Sequence, residues 1–589
     1  MVRHFRLLLG ITCMLLHIQI YAQNLLDNGD FEKDYDHWSR LTGNNGSMSF
    51  YSLDLSNVHN GAQSMRVSTK ATGQKAWDNQ LIHKGFYPTK GDEYTLSFYA
   101  KSREGAVEMK AVLQNTTYNE QTYTIGTEWT KYTWEFKAAE EFLQLKFFFT
   151  ALGTIFLDDI TIIGKNYVPV VIRPTDTTRV SIAVKHQTIE GFGSALAFYE
   201  GWVTDHPSKE EMYRLAFQDL GLDWLRIRND YKYQPDFEKA AKEFVAKAKQ
   251  WRGDSIRVLM CGWTPPAELK SNNNANNGTL KKTEQGFVYD AYAKYWRDAL
   301  LAYHAKGIYP DWLSIQNEPD WLTDQWETCK FEPTESAQYP GYDKAFAAVM
   351  KQFADIDKKP LMLGSEMLGI GNNQFYSYNT PIKNNADLYA YAYHLYNGGD
   401  PDFPDSYNAA LQNIKKDFGN KPNVMTEYEH RKGEMYKTAW LMNNVLTQAN
   451  ASAYFYWDLI WPNGGLIDID NPYDKAGWRN AKGYQLTPHY YAYKHFTRFI
   501  HAGYTRVDHT CSNSFVRASA YISPDGKQLT VVMINPTEQA ITSSVDIGGG
   551  VAKKTTVYQS ITNDYFKQLP TSASIQLPAK SVTTIVYSF

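Results

Sequence analysis

The sequence predicts a multidomain α/β and β protein: a (β/α)8 TIM barrel with an attached side β-sandwich, preceded by a separate jelly-roll β-sandwich. Three observations predict this architecture. Short alternating apolar runs, separated by Gly, Asn and Asp turns, fill residues 24–165 and 499–589, which is typical of antiparallel sheets. Between them, eight short apolar runs alternate with helical patterns. A chain of 589 residues is also too long for one core and favours about three or four folding units.

The first residues have the pattern of an export signal. Arg3 and Arg6 precede an apolar run at residues 7–16, and the small residue Ala22 follows. We interpret residues 1–22 as a secretory signal peptide. The apolar run is shorter than the roughly 20 residues that a membrane-spanning helix needs. We therefore expect a secreted, periplasmic or cell-surface protein with no membrane span.

Cysteine usage and charge exclude several classes of function. Without Cys13 of the signal, Cys261, Cys329 and Cys511 remain, an odd number without CxxC spacing, which argues against a disulfide framework or a zinc cluster. The net charge of -3 gives no electrostatic basis for nucleic-acid binding. Aromatic residues make up 15% of the chain. Their faces suit the apolar faces of sugar rings, although most must fill β-rich cores.

Residues 23–165 predict the first sandwich, with alternating runs such as "EYTLSFYAKS" and "LQLKFFFTAL". The segments "NLLDNGDFEKDYDHW" and "GTIFLDDITIIG" resemble the two ends of jelly-roll carbohydrate-binding modules. That resemblance implies a glycan-binding module and allows a structural calcium near Glu32 and Asp158. A non-binding spacer sandwich is the alternative. Residues 166–188, with the extended "NYVPVVIRPTDTT", predict a linker and the first strands of the side sandwich.

Residues 189–498 predict the barrel. After the second apolar run, apolar residues recur at steps of four and three from Phe237 to Trp251, which builds one face of a helix. Similar helices fit 288–306, 341–355, 407–418 and 434–449. The eight strand-like runs lie at 189–194, 223–229, 256–260, 311–317, 361–365, 389–394, 422–427 and 452–457. The functional groups of such a barrel lie at the C-terminal ends of its strands.

The last block, residues 499–589, returns to strands, with a turn at Pro524-Asp525-Gly526. We predict that it forms the side β-sandwich packed on the barrel.

Two carboxylates end opposite strands of the predicted barrel. The fourth run, "DWLSIQ", leads into Asn317 and Glu318, and the seventh leads into Glu427. Strands four and seven face each other across a barrel mouth. Glycoside hydrolysis with retention needs two carboxyl groups about 5 Å apart, one protonated and one ionised. The pair therefore predicts a retaining glycoside hydrolase with Glu318 as acid/base and Glu427 as nucleophile, acting without a cofactor or a catalytic metal.

The barrel and side sandwich, over residues 167–589, resemble glycoside hydrolase family 30. Seven ordered segments carry the resemblance: "IEGFGSA", "GLDWLRIRN", "GWTPPAELKSNN", "SIQNEPD", "HLYNG", "VMTEYEH" and "HFTRFIHAGYTRVD". The resemblance implies that Arg226 and Tyr396 support the nucleophile and that Asn317 binds a sugar 2-hydroxyl. It also implies that Trp263 lines the sugar pocket and that Trp457 forms its aromatic floor. From the residues alone, Arg226 could equally bridge barrel carboxylates, and Trp263 could be core.

Other polar residues near the pair have simpler interpretations. His394 and His430 have no second histidine at ligand spacing, so we interpret them as structural rather than as a metal site. Glu429, two residues beyond Glu427, is expected to point elsewhere or into solvent. We expect Glu318 to have its pKa raised by burial and by the charge of Glu427, which Arg226 keeps ionised.

The choice of glycan rests on longer segments. "NEPDWLTDQWETCKFEPTES", "AGYTRVD" and "PAKSVTTIVYS" resemble the xylanase branch of the family, which implies an endo-β-1,4-xylanase acting on a xylan-like polysaccharide. We also expect the protein to be a monomer. The alternatives are another β-glycan, such as β-1,6-glucan, galactan or a glucosyl conjugate, and a non-catalytic glycan-capture protein. Presence of both Glu318 and Glu427 argues against the last.

The segment after the eighth run departs from the family. Glucuronoxylan-specific members carry an Arg there, whereas residues 457–470 contain no basic residue and include Asp458, Asp468 and Asp470. An acidic loop should repel a uronate.

We therefore expect cleavage that does not depend on glucuronosyl branches, with Trp461 stacking on a sugar. The alternative is that Arg228 or Arg431 provides the missing contact.

Overall fold

The computed structural model describes residues 24–165, 174–430 and 433–589. The chain divides into two compact units, Met1–Val171 and Ile172–Phe589. The predicted signal peptide at 1–22, residues 166–173 of the predicted linker and Arg431 lie outside the described residues. Within the described ranges, no helix is both long and apolar enough to cross a membrane.

The first unit is a sandwich of two five-stranded antiparallel sheets, as predicted. One sheet has the strand order Trp38–Leu41, Gln80–His83, Gln144–Phe148, Val107–Gln114 and Tyr118–Ile125. The other has the order Met48–Asp54, Ser64–Ala71, Gly153–Gly164, Glu93–Ser102 and Thr130–Lys137. Alternate residues of each strand point inward, so Leu96, Phe98 and Leu157 are fully buried between the sheets. The unit therefore has a hydrophobic core of its own.

The two predicted calcium ligands of this unit bind a loop. Glu32 Oε1 accepts two backbone N–H groups at 2.7 and 3.2 Å, and Asp158 Oδ2 accepts two more at 2.9 and 3.2 Å, all from residues 59–63. Calcium needs a shell of oxygen ligands. The N–H donors around these carboxylates do not fit that requirement, and the calcium site stays a prediction.

The second unit contains a closed barrel of eight parallel strands, each overlapping its predicted run. The strands are β1 (Gly191–Leu196), β2 (Trp224–Arg228), β3 (Arg257–Cys261), β4 (Trp312–Ser314), β5 (Leu361–Leu363), β6 (Leu388–His394), β7 (Asn423–Glu427) and β8 (Ala453–Tyr456). They neighbour one another in chain order, and β8 pairs with β1.

Nine α-helices occur in the described part of this unit. They are α1 (Glu200–Asp205), α2 (Lys209–Tyr213), α3 (Lys239–Arg252), α4 (Tyr289–Ala305), α5 (Tyr342–Gln352), α6 (Gln374–Asn379), α7 (Asn408–Asp417), α8 (Met435–Gln448) and α9 (Pro488–Thr497). The sequence predicted α3, α4, α5, α7 and α8. The short helices α1, α2 and α6 are too brief to show a helical period in the sequence.

Large and small side chains alternate inside the barrel. The rings of Trp224 and Trp312 stack with their centroids 3.7 Å apart, and Phe455 packs beside them. Gly193 faces this cluster, where an added Cβ would lie 2.3 Å from the Phe455 ring. This packed layer closes the barrel below the C-terminal ends of its strands, so a ligand can approach from that end only.

The unit also contains a nine-stranded sheet, called here the side sheet. Its strand order is Asp564–Leu569, Lys554–Ile561, Ser581–Ser588, Gln528–Asn535, Arg517–Ile522, Thr505–Cys511, Thr175–Thr188, Ile541–Asp546 and Ile575–Leu577. Register shifts interrupt the pairing of Thr175–Thr188 with Thr505–Cys511. The strand that precedes the barrel thus lies inside a sheet built from residues that follow it.

Candidate active site

A cavity of about 800 Å³ opens at the C-terminal ends of the barrel strands. Its walls combine three carboxylates with many aromatic rings. The lining residues are Phe198, Tyr199, Trp263, Asn317, Glu318, Trp321, Trp326, Leu368, Tyr396, Pro401, Glu427, Tyr428, Glu429, His430, Trp457 and Trp461. The size and lining suit a sugar chain.

Glu318 follows β4 and is held in an unusual backbone conformation. Its φ is +44°, and its N–H donates to the carbonyl oxygen of Glu366 at 3.0 Å. The side chain is 6% exposed, and its Oε1 lies 3.0 Å from His394 Nδ1. A left-handed backbone at a non-glycine residue costs about 1–3 kcal/mol and persists only where its surroundings hold it. Here the bond to Glu366 and the contact with His394 provide that support.

Glu427, the last residue of β7, has a hydrogen bond on each carboxylate oxygen. Arg226 Nη1 donates to Oε2 at 2.5 Å, and the Tyr396 hydroxyl donates to Oε1 at 3.0 Å. Donors of this kind favour the ionised form of a carboxylate. The side chain is 5% exposed and reaches the cavity, so an ionised oxygen can face a bound ligand.

The two carboxyl groups lie close together. One oxygen of Glu318, one of Glu427 and a nitrogen of His394 all lie within 4.8 Å of one another. Retaining glycosidases have carboxyl groups about 5–5.5 Å apart, whereas inverting enzymes leave roughly 6.5–9.5 Å for a water molecule. The observed spacing suits direct attack by a carboxylate.

The neighbours of Glu318 favour its protonated form. Burial first, and the charge of Glu427 second, raise the pKa of Glu318 to about 7, although the contact with His394 partly offsets them. Glu318 can thus hold a proton near neutral pH.

His394 is a member of this charge network, whereas the sequence predicted a structural role only. Burial disfavours its charged form, but the carboxylates of Glu427, Glu318 and Glu366 outweigh burial and raise the pKa of His394 to about 10. Both nitrogens of an imidazolium carry protons and bind no metal. The group of Glu318, His394 and Glu427 therefore suits proton transfer better than metal binding.

The other predicted site residues lie in or directly beneath the cavity. Arg226 is fully buried, and its Nη2 donates to Asn317 Oδ1 at 2.7 Å. Its guanidinium carbon lies 4.9 Å from the ring centroid of Trp263 and 5.7 Å from that of Trp457. Trp461 lines the cavity and packs edge-on against Tyr199 at 4.8 Å. The structure thus brings all eight predicted catalytic and binding residues together.

Some cavity residues were not predicted. Trp321 and Trp326, both 39% exposed, lie in the segment that joins β4 to α5. Glu429 lines the cavity and is 8% exposed, so the expectation that it points elsewhere or into solvent is wrong. An added Cβ at Gly464 would lie 2.5 Å from Glu429 Oε1, which shows how closely the segment after β8 covers this glutamate.

The acidic loop expected after β8 is partly neutralised. Arg479, later in the same loop, forms ion pairs with Asp468 and Asp470. Burial raises the pKa of Asp458 well above its ordinary value, which favours the uncharged form of this side chain. Arg479 follows residues 457–470 in the chain and offsets one of the two negative charges of Asp468 and Asp470.

Arg228 does not supply a free guanidinium to the cavity. Its nitrogens lie 3.4 Å from Glu200, 2.8 Å from Asp230 and 3.3 Å from Glu327. Among the described lining residues there is no lysine or arginine. The other predicted substitute, Arg431, lies outside the part of the chain that the structure describes.

Three family models match separate parts of the chain. They are a carbohydrate-binding domain at residues 23–152, the glycosyl hydrolase family 30 TIM-barrel domain at 212–335 and the glycosyl hydrolase family 30 beta sandwich domain at 503–585. Their order along the chain agrees with the order of the observed folds.

Known relatives and solved structures that resemble this chain include members of the same family. Glucuronoxylanase XynC of Bacillus subtilis (strain 168) is 24% identical over 436 residues, which cover 71% of this chain and 92% of the relative. The family 30 subfamily 8 xylanase Xyn30A from Clostridium acetobutylicum superposes with a TM-score of 0.55 at 23% identity, covering 71% of this chain and 100% of that one. The endo-β1,6-glucanase BT3312 gives a TM-score of 0.55 at 20% identity, covering 70% and 94%. At these identities, the structural likeness shows the fold alone.

Proposed function

Because the chain belongs to glycosyl hydrolase family 30, we propose that it hydrolyses β-1,4-xylan by double displacement, with Glu318 as acid/base and Glu427 as nucleophile. The observation that carries the mechanism is the close approach of the two carboxyl groups, whose nearest oxygens lie within 4.8 Å.

In the first step, a Glu427 oxygen attacks the anomeric carbon while Glu318 gives its proton to the glycosidic oxygen. The bond from the anomeric carbon to that oxygen breaks, the leaving sugar departs with a new hydroxyl, and a glycosyl ester forms on Glu427. In the second step, Glu318 takes a proton from water, the hydroxide equivalent attacks the anomeric carbon, and the ester bond breaks. Two inversions give net retention.

The surrounding residues support both steps. Arg226 and Tyr396 orient the Glu427 carboxylate through the hydrogen bonds described above. Arg226 also holds Asn317 by its Oδ1, which leaves the Asn317 side-chain N–H groups to donate to a sugar hydroxyl. Trp263, Trp457 and Trp461 offer aromatic faces to the sugar ring.

Xylan is the proposed substrate, supported by the similarity to a glucuronoxylanase and to family 30 xylanases. The likeness to an endo-β1,6-glucanase keeps β-1,6-glucan as a second candidate, together with galactan and glucosyl conjugates. A catalytically inactive glycan-capture protein is a further alternative.

A panel of β-glycans tests these choices. We expect reducing sugars from xylan, and ¹H NMR of the first products should show the β-anomer before mutarotation. Release from β-1,6-glucan but not from xylan would replace the proposed substrate, and an initial α-anomer would overturn the proposed mechanism. Binding to xylan without any product would favour the glycan-capture alternative.

We further propose that cleavage does not require glucuronosyl branches. Two observations support this proposal. The described lining residues include no lysine or arginine, and Arg228 and Arg479 form ion pairs with carboxylates. Linear xylohexaose should be cleaved about as well as glucuronoxylan. Products cut at a fixed distance from each branch, with xylohexaose untouched, would contradict this.

Binding of glycan by the first unit, export of the chain and a monomeric state also belong to this proposal. The match to a carbohydrate-binding domain supports the first, and the pattern of residues 1–22 supports the second.

A further inference from the structure

A third glutamate lies beneath the candidate active site. Glu366 follows β5, is fully buried and does not line the cavity. Its φ is +41°, and its carbonyl oxygen accepts the N–H of Glu318 at 3.0 Å. The mechanism proposed above gives this buried carboxylate no part, although its backbone is bonded to the acid/base residue.

The Glu366 side chain contacts groups from three other strands. Cys261 Sγ of β3 donates to Oε2 at 2.7 Å, and Arg226 Nη2 of β2 donates to Oε1 at 3.3 Å. His394 Nε2 of β6 lies 4.0 Å from Oε1. Glu366 also affects Tyr342 of α5, which lies outside the barrel. Burial raises the pKa of Tyr342 well above its ordinary value, and Tyr292 and Glu366 contribute smaller increases.

These contacts keep Glu366 ionised. Burial opposes its ionisation, but Arg226 and His394 outweigh burial and hold the pKa of Glu366 well below its usual range. An ionised carboxylate that is buried among two cations cannot be neutralised without leaving one of them unpaired.

Within this group of five side chains the charges balance. Two further carboxyl groups lie nearby, Asp320 beside Glu318 and His394, and Asp458 beside Glu427 and Arg226. Arg226 and His394 carry two positive charges, Glu366 and Glu427 carry two negative charges, and Glu318 is neutral while it holds its proton. His394 faces Glu318 with one nitrogen at 3.0 Å and has Glu427 and Glu366 at 3.9 and 4.0 Å from the other. Arg226 is shared between Glu427 and Glu366.

We propose that Glu366 is a positioning residue: its buried carboxylate anchors Arg226 and His394 beneath Glu427 and Glu318, and its charge sets the pH range in which the pair works. The role rests on the proposed glycosidase function. Glu366 touches no substrate. It acts by preventing Arg226 from neutralising Glu427 completely and by keeping a proton on His394.

The substitution Glu366→Gln removes the charge and keeps the shape. The cluster then carries one excess positive charge, which favours loss of protons from the remaining groups. We expect kcat/KM on xylo-oligosaccharides to fall about 10- to 100-fold. We also expect the whole bell-shaped pH profile to move to lower pH by about one unit, with KM little changed because Glu366 lies outside the cavity.

Two variants separate charge from structure. Glu366→Asp keeps the charge and should keep the wild-type pH profile even if its rate falls. Glu190→Gln removes another barrel carboxylate that pairs with an arginine, Arg257 at 3.3 Å, but at the opposite end of the barrel. Its pH profile should be unchanged. Equal profiles for Glu366→Gln and wild type would overturn the proposal.

A spectroscopic test does not depend on activity. With ¹⁵N-labelled histidine, and His394 assigned by its absence in His394→Gln, the ring signals should show an imidazolium up to about pH 9 in wild type. In Glu366→Gln the same ring should lose its proton at least about one pH unit lower. An unchanged His394 titration overturns the proposal, whereas absence of hydrolysis by the wild type would count against the glycosidase function only.

If Glu366→Gln does not fold, His394→Gln tests the part of the proposal in which the charge of this cluster controls Glu318. Removing a cation from this cluster must move the alkaline limb of kcat/KM to higher pH, opposite to the shift expected for Glu366→Gln. An unmoved limb would show that the cluster charge does not control Glu318.

Discussion

At the scale of single residues, the neighbours of Glu318 and Glu427 give two chemically identical side chains different roles. Glu427 receives hydrogen bonds from Arg226 and Tyr396, whereas Glu318 is buried beside an imidazole and carries a pKa near 7. The roles of donor and nucleophile follow from these environments rather than from the side chains themselves.

Replacing each glutamate should therefore give a different chemical defect. Glu427→Ala should lose nearly all turnover, and azide should restore cleavage of an activated β-xyloside with an α-xylosyl azide product, because azide takes the place of the missing carboxylate. Glu318→Ala should keep its rate of first-step cleavage on aryl xylosides with good leaving groups, since only proton donation is lost. The azide product is identified by NMR. Near wild-type activity of either variant on xylan would contradict the assignment.

The raised pKa of Glu318 also predicts a pH dependence. Since the proton donor must be protonated, a pKa raised from 4.5 to about 7 extends activity upward in pH, and kcat/KM should fall above about pH 7. On 2,4-dinitrophenyl xyloside this alkaline limb should vanish, because that leaving group needs no proton. If the alkaline limb had the same midpoint on xylo-oligosaccharides and on 2,4-dinitrophenyl xyloside, the limb would belong to a group other than Glu318.

The sequence predicted these two glutamates because each lies at the C-terminal end of a strand-like run. It did not predict Glu366 or His394 as parts of the site. Although His394 begins the segment "HLYNG", the sequence does not show its contacts with the carboxylates, because the roles of both residues arise from contacts between strands β2 to β6 that are distant in the chain. Likewise, Arg479 lies outside residues 457–470 in the sequence, and only the folded loop brings it to Asp468 and Asp470.

At the scale of elements, the segment between β4 and α5 presents two exposed tryptophans on a fixed loop. The N–H of Trp321 donates to the carbonyl oxygen of Glu318 at 3.0 Å. Asn277 Nδ2 donates to Asp324 Oδ1 at 2.7 Å, and a backbone bridge joins Thr279 to Lys330. The loop is thus bonded to the segment after β3, which holds Trp321 and Trp326 at the cavity without a bound ligand.

Glu318 gives its proton to the leaving sugar, and Trp321 is bonded to the Glu318 main chain and lines the cavity, so we expect Trp321 to contact that sugar. Trp321→Ala should lower kcat/KM on xylohexaose about 10- to 100-fold, which corresponds to roughly 1.5–3 kcal/mol of lost apolar contact. Hydrolysis of β-xylobiosyl fluoride should be unaffected, since fluoride occupies no sugar site. Steady-state kinetics with both substrates measure the difference.

Tyr309→Ala is a matched control, because Tyr309 is 42% exposed but precedes β4 at the other end of the barrel. Its rates should equal those of wild type. A parallel loss on xylohexaose and on the fluoride in Trp321→Ala would indicate a general disturbance of the site instead.

The elements that the sequence predicted best are those with a clear apolar pattern. All eight barrel strands overlap their predicted runs, since each is a short buried apolar segment. Helices α1 and α2, of six and five residues, are shorter than two helical turns and show no repeated apolar face.

At the scale of the whole molecule, the two units have separate cores, so the first should be removable. A chain that begins at residue 169 should fold and hydrolyse soluble xylo-oligosaccharides at the full-length rate. Its activity should fall on insoluble xylan, because the first unit would raise the local concentration of substrate. Rates on both substrates and binding to insoluble xylan measure the effect.

The position of the cut matters. A chain that begins at residue 190 would lack Thr175–Thr188 from within the side sheet, and we expect it not to fold. Equal binding of the full-length and the residue-169 chains to insoluble xylan would contradict a glycan-binding role for the first unit.

The strand Thr175–Thr188 also has a consequence for biosynthesis. Thr178 meets Cys511 across the side sheet, 333 residues later in the chain. At about 5–20 residues per second, a ribosome needs roughly 20–70 s to make the intervening polypeptide. During that interval Thr175–Thr188 has neither of its neighbours and presents two open edges to other nascent chains. The strand is synthesised before the barrel, but it can pair with its neighbouring strands only after the barrel residues have been synthesised. We expect the newly made chain to depend most on chaperones during this interval.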